Sequence, residues 1–168
     1  FDVETPKEIT DALKLGELNN YAFQGRENRD TYYFHHVFLG CVRALDYLTS
    51  RPEWDGQHLT VTGSSQGGGL SLCLAGLHEK VTALAANVPA LCDHTGHLIG
   101  QASGWPRLVP PEDDGTIAQV SRYYDAVNFA RRFFGAAWVT VGLIDRTCPA
   151  TSVYAAYNCL RGEKLILC

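Results

Sequence analysis

Methionine is absent from the 168 residues, and so is any excess of positive charge: 14 Lys and Arg stand against 18 Asp and Glu, a formal net charge of −4. A nucleic-acid partner leaves a basic footprint on a domain, so that class is excluded. No apolar run approaches the roughly 18 residues that suggest a membrane-spanning helix, so no membrane partner is expected. The opening stretch FDVETPKEIT lacks the charged-then-apolar layout of a secretory signal. No CxxC or Cys/His pair has zinc spacing, and no metal is expected. Cys41, Cys73, Cys92, Cys148, Cys159 and Cys168 are too dispersed for a disulfide framework. Several lie inside apolar runs and read as buried free thiols, which favours a reducing compartment such as the cytoplasm over export.

What is present is enough for a core. Hydrophobic residues make up 46% of the chain, with three Trp, eight Tyr and seven Phe, which excludes disorder and suits one compact domain spanning residues 1–168. The missing methionine, together with an end at Cys168 directly after Leu165-Ile166-Leu167, leads to the expectation of an internal piece of a longer protein.

Residues 1–29 are polar and mixed and read as loop with one short helix near 6–15. Phe34, Phe38, Cys41, Leu45 and Leu48 then recur at alternating four- and three-residue steps, which predicts a helix over 31–49 with Asp30 or Thr31 as N-cap and Pro52 beyond its end. His58 to Gly63 is a short β-type run ending in glycine. Gly67-Gly68-Gly69 opens a helical stretch, and Val81 to Val88 is a nearly continuous apolar strand of the kind covered on both faces. Residues 90–120, rich in Gly, Pro, Asp and His, read as an irregular insertion or lid. Ser121 to Phe134 reads as helix, Trp138 to Leu143 as strand, 149–161 as helix and 164–168 as strand. Strands alternating with helices argue an α/β fold: a mostly parallel sheet covered by helices on both faces. Four strands are few, and the outer two would expose unpaired edges unless something covers them.

Gly63-Ser64-Ser65-Gln66-Gly67 fits G-x-S-x-G between a predicted strand and a predicted helix. Such a turn holds the central serine in a strained conformation, with flanking glycines removing Cβ atoms that would clash. The Ser65 oxygen is then presented above the sheet at a helix N-terminus, where developing negative charge is favoured, and the Gln66 N–H can serve as an oxyanion donor. A turn of this composition without chemistry, or one that binds phosphate, is the alternative. Asp145 closes the run Trp138 to Ile144, so it emerges at the carboxyl end of a parallel strand, where catalytic groups gather. It reads either as the acid of a Ser…Asp pair, as an ordinary loop aspartate, or as a cap of the helix that opens at Pro149.

These residues resemble a known family. Thr62-Gly63-Ser64-Ser65-Gln66-Gly67-Gly68-Gly69-Leu70, Val88-Pro89-Ala90-Leu91-Cys92-Asp93 and Tyr124 to Ala130 are similar to acetyl xylan esterases of carbohydrate esterase family 7, which also holds the cephalosporin C deacetylases. Val141-Gly142-Leu143-Ile144-Asp145-Arg146-Thr147-Cys148-Pro149 and Ser152 to Asn158 extend the likeness, as do Thr31-Tyr32-Tyr33 and Arg43 to Asp46. It runs from about residue 20 to the end, with GxSQGG and DxxCP its most specific elements. One departure is Ala150, where the family usually has a second proline. The resemblance implies a partial α/β-hydrolase fold, without its N-terminal strands and C-terminal histidine loop. It further implies Ser65 as nucleophile, Asp145 as triad acid, the Gln66 N–H as oxyanion donor, acetylated xylan or related small acetyl esters as substrate, no cofactor, and a homo-oligomer for the full-length protein.

The family's catalytic histidine follows the next strand and its second oxyanion donor precedes residue 1, so this chain alone is expected to be inactive. His35, His36 and His58 precede the elbow, His78 ends its helix, and His94 and His97 fall in the insertion; all six read as structural or solvated. Glu112-Asp113-Asp114 reads as a solvated loop, Tyr123, Tyr124 and Trp138 as packing, and Asp93 as a structural hydrogen-bonding residue. A non-catalytic hydrolase-derived module, or a hydrolase of another ester or of peptides, remains the alternative to acetyl ester hydrolysis.

Overall fold

A computed structural model of the chain describes Asp11 and residues 19–168; the helix expected near 6–15 lies outside the described residues apart from Asp11. The first long element is α1, Tyr33–Ser50. Phe34, Phe38 and Leu45 of the expected stripe are buried, whereas Cys41 is half-buried and Leu48 exposed, and Thr49 closes the buried face instead. A straight helix drifts off a strict seven-residue repeat, which carries the far end of the stripe toward solvent. The N-cap is Tyr32 rather than Asp30 or Thr31, and it has no side-chain cap. Its ring is wholly buried and its hydroxyl donates to Ala22 O at 2.9 Å, so packing rather than capping decides where the helix begins.

Four strands follow, β1 (Thr60–Ser64), β2 (Ala83–Asn87), β3 (Ala136–Thr140) and β4 (Lys164–Leu167). They form one sheet in the order β1-β2-β3-β4, each neighbouring pair parallel. Every connection carries helix: α2 (Gln66–Leu77) after β1, the short α3 (Thr116–Ser121) and α4 (Ala126–Ala130) after β2, and α5 (Ala150–Cys159) after β3. Parallel strands need such crossovers, because the chain must return to the same end of the sheet. Lys164 fastens β4 to the end of α5, its Nζ donating to the carbonyls of Tyr157, Asn158 and Leu160 at 3.0–3.3 Å. A cation there complements the negative end of the helix.

Side chains alternate across the sheet. Val61, Leu84, Ala86, Ala137 and Val139 are buried on one face, beneath the helices. Thr60, Thr62, Ala136, Trp138 and Leu165 point the other way and are exposed, while Ala83 and Ala85 on β2 are half-buried.

The single helix expected over Ser121 to Phe134 is broken. Residues 122–125 leave the helical path, and Asp125, in extended conformation, caps α4 by accepting from Val127 N. The same carboxylate accepts from Asp93 N at 3.0 Å and His94 N at 2.8 Å, so it ties the segment that follows β2 to the helix layer. Three main-chain N–H groups on one buried charged acceptor outweigh the continuity of one helix. The expected hydrogen-bonding role of Asp93 thus falls to Asp125, with Asp93 contributing its N–H. The acidic run of the insertion also has a local use: Asp113 accepts from Ile117 N and Ala118 N, and Asp114 from Thr116 N, at 2.9–3.0 Å, capping α3.

Candidate active site

β1 ends at Ser64 and α2 begins at Gln66, leaving Ser65 alone to turn the chain. Its φ of 52° and ψ of −117° lie outside the regions comfortable for an L-residue. Such strain costs on the order of 1–3 kcal/mol and persists only where the surroundings over-determine it. Here they do: Ser65 N donates to Asn87 O at 2.9 Å, and Ser65 O accepts from Gly69 N at 3.0 Å and Ala90 N at 2.9 Å.

The flanking glycines have unequal roles. A Cβ at Gly63 would lie 2.3 Å from the Gly67 carbonyl carbon, so no side chain fits there. A Cβ at Gly67 would meet nothing within 4 Å, so that glycine is not required for its own missing Cβ. Gly68 and Gly69 are tight as well, where a Cβ would come within 2.9 Å of Asn87 O and 2.2 Å of Ala90 O respectively. The start of α2 can therefore press against the loop after β2. Ser65 is exposed at this junction, and Gln66 is half-buried. The Gln66 N–H belongs to the first turn of α2, whose N–H groups have no intrahelical acceptor, which leaves it available to an oxyanion.

Asp145 lies on the loop that leaves β3. Its Oδ1 accepts from Thr147 N at 2.7 Å and Cys148 N at 2.9 Å, while Oδ2 has no hydrogen-bond partner among the described residues. Pro149, not Asp145, is the N-cap of α5. The carboxylate is thus oriented by its own loop with one oxygen to spare. Cys148 helps to hold the acid: its N–H donates to Asp145 Oδ1, and its side chain is buried. Burial pushes the Cys148 thiol up, against an opposing pull from Ser65, so it stays neutral.

Two site residues were not singled out by sequence reasoning. One is Cys148 of the DxxCP element, whose N–H holds the Asp145 carboxylate. The other is Tyr21, assigned to loop, whose hydroxyl donates to Gln66 Oε1 at 2.6 Å. Backbone strain marks the same region. Of the six non-glycine residues with positive φ among the described residues, Ser65, Val88, Leu91, Asp93 and Arg107 lie on the elbow, the loop after β2 or the insertion.

Residues 90–120 are anchored to this site at several points. Trp105 N donates to Thr147 O at 3.0 Å, Leu91 N donates to Trp105 O at 2.9 Å, and Arg107 donates to Arg146 O at 2.9 Å. No histidine ring is hydrogen-bonded to Ser65 or Asp145 among the described residues. His35 pairs with Tyr124, His58 with Asp55, His78 with Asp46 and His97 with Ser103, while His94 is fully buried. Among the described residues no group of His, Cys, Asp and Glu could hold a metal ion.

A family model described as acetyl xylan esterase matches residues 6–104 and 106–167. The chain is 46% identical over 164 residues to acetyl esterase Axe7A of Xylanibacter ruminicola, covering 94% of this chain and 36% of that protein. It resembles the solved acetyl xylan esterase of Paenibacillus sp. R4 with a TM-score of 0.79 at 34% identity, covering 89% of this chain and 50% of that one. It resembles acetyl xylan esterase 1 of Thermoanaerobacterium sp. JW/SL YS485 with a TM-score of 0.76 at 31% identity and the same coverage. The chain therefore spans half of each solved relative and 36% of the curated one.

Proposed function

The chain belongs to the acetyl xylan esterase family, and from that premise we propose that the protein carrying it is a serine carboxylester hydrolase. Its reaction is removal of acetyl groups from acetylated xylan, xylo-oligosaccharides or related small acetyl esters. The observation that carries this reading is the strained Ser65, exposed at a strand-to-helix turn in a chain whose Asp145 carboxylate is oriented by its own loop.

In the reaction, the Ser65 hydroxyl attacks the acetyl carbonyl as an imidazole takes its proton. That imidazole comes from outside the described residues, since each of the six rings in the chain is either engaged elsewhere, buried or without a bond to Ser65. The spare Oδ2 of Asp145 is the acceptor that orients it and stabilises its charged form. The tetrahedral oxyanion rests on the Gln66 N–H, with the positive end of α2 behind it. The sugar alcohol leaves with the proton, and water then releases acetate from the acyl-serine.

The test is hydrolysis of p-nitrophenyl acetate and of acetylated xylo-oligosaccharide by the full-length protein and its Ser65→Ala variant. Loss of turnover by about a thousandfold or more is expected, as for removal of a triad nucleophile. Full activity in the variant would refute the assignment. Residues 1–168 prepared alone are expected to show no serine-dependent turnover in the same assay.

A further inference from the structure

The residue after the nucleophile is held by a side chain far away in sequence. Tyr21 and Gln66 are separated by 45 positions, yet the phenol hydroxyl donates to the side-chain carbonyl of Gln66 at 2.6 Å. The Tyr21 ring is itself fixed, with centroids 5.2 Å from Tyr33, 6.4 Å from Phe34 and 6.2 Å from Trp105. Trp105 in turn is bonded through its main chain to Thr147 on the acid loop and to Leu91 on the loop after β2. The hydroxyl is thus presented by a frame that touches every loop of the site.

We propose that Tyr21 is a positioning residue: it tethers the Gln66 side chain and so holds the first peptide of α2 in the orientation that presents the Gln66 N–H to the oxyanion. The inference rests on the assignment of Ser65 and Gln66 above.

The physical reason lies in the elbow. Ser65 sits at φ 52°, and the peptide that follows it gains by relaxing toward a regular turn. Hydrogen bonds from Gly69 N and Ala90 N restrain the carbonyl of that peptide. On the Gln66 side the restraint in evidence is the Tyr21 hydroxyl. An oxyanion donor works only if it is preorganised, because a donor that must be reoriented during the reaction loses part of its stabilising effect. Burial and the neighbouring Tyr33 both push the Tyr21 phenol up, which keeps it protonated as a donor. A merely structural tyrosine in this aromatic frame would contribute through its ring, which Tyr21→Phe retains.

A double-mutant cycle in the full-length protein tests this, with Tyr21→Phe, Gln66→Ala and the pair, read as kcat and KM on p-nitrophenyl acetate beside the melting temperature. Tyr21→Phe should lower kcat about three- to tenfold, the scale of one hydrogen bond, with KM and melting temperature nearly unchanged. In the Gln66→Ala background the same substitution should have no further effect, because Tyr21 acts through Gln66. An equal loss in both backgrounds, or no loss from Tyr21→Phe alone, would overturn the proposal. Ser65→Ala keeps the two readings apart. If Ser65→Ala retains turnover, the site assignment falls and this inference with it. If Ser65→Ala abolishes turnover while the cycle is additive, only the role of Tyr21 falls.

Discussion

At the scale of single residues, the elbow depends on space as much as on chemistry. Gly63 and Gly67 occupy equivalent places in the motif, but only Gly63 has the backbone of its counterpart where a Cβ would go. Gly63→Ala is therefore expected to destabilise the protein by about 3 kcal/mol, the upper end for overpacking, and to displace Ser65. Gly67→Ala, in open space within a helix, should instead stabilise by roughly 0.5–1 kcal/mol. Urea unfolding midpoints of the two variants check the pair, and equal losses would show that the motif tolerates neither. Both glycines are plain in the sequence as part of the motif. Their inequality is not, because it depends on how closely the first turn of α2 folds back over β1.

At the scale of elements, the stretch from Thr116 to Ala130 shows how one carboxylate sets helix boundaries. Asp125 accepts from three main-chain N–H groups, those of Asp93, His94 and Val127, and is 7% exposed. Asp125→Ala would leave all three without this acceptor, that of His94 in a fully buried setting. A loss of about 3 kcal/mol is expected, at the upper end for leaving buried donors unsatisfied, together with faster proteolysis of the insertion. Thermal melting and limited proteolysis measure the two effects; an unchanged melting temperature would count against this role. Sequence periodicity supports one helix from 121 to 134 because apolar residues continue through the break. The partners that stop it lie about thirty positions upstream, so no local signal marks the boundary. The long helix α1 and the four strands, by contrast, follow their local patterns to within a few residues, since each is decided by its own apolar spacing.

At the scale of the whole molecule, the sheet is asymmetric. One face is buried beneath the helices, while the other exposes Trp138 and Leu165 in register on adjacent strands, close to the level of Thr62 and Ala85. Trp138 is 49% exposed and Leu165 is 51% exposed, so an apolar strip faces solvent in this chain. Residues 1–168 prepared alone are expected to self-associate at micromolar concentration, and Trp138→Lys combined with Leu165→Lys should shift them toward monomer. Size-exclusion chromatography with light scattering decides it; a monomeric parent chain would contradict the expectation.

The sequence by itself determined the α/β alternation, the place of the elbow, and the emergence of Asp145 at the carboxyl end of a strand. Each of these follows from apolar spacing and glycine placement within some ten residues, where the chain's own stereochemistry does the selecting. Only the tertiary structure decided that Trp105 bonds to the loop carrying Asp145, that Tyr21 holds Gln66, and that Asp125 divides a helix. Those contacts join loops from different crossovers, and their partners are chosen by how the helix layer packs against the sheet, which no local pattern records.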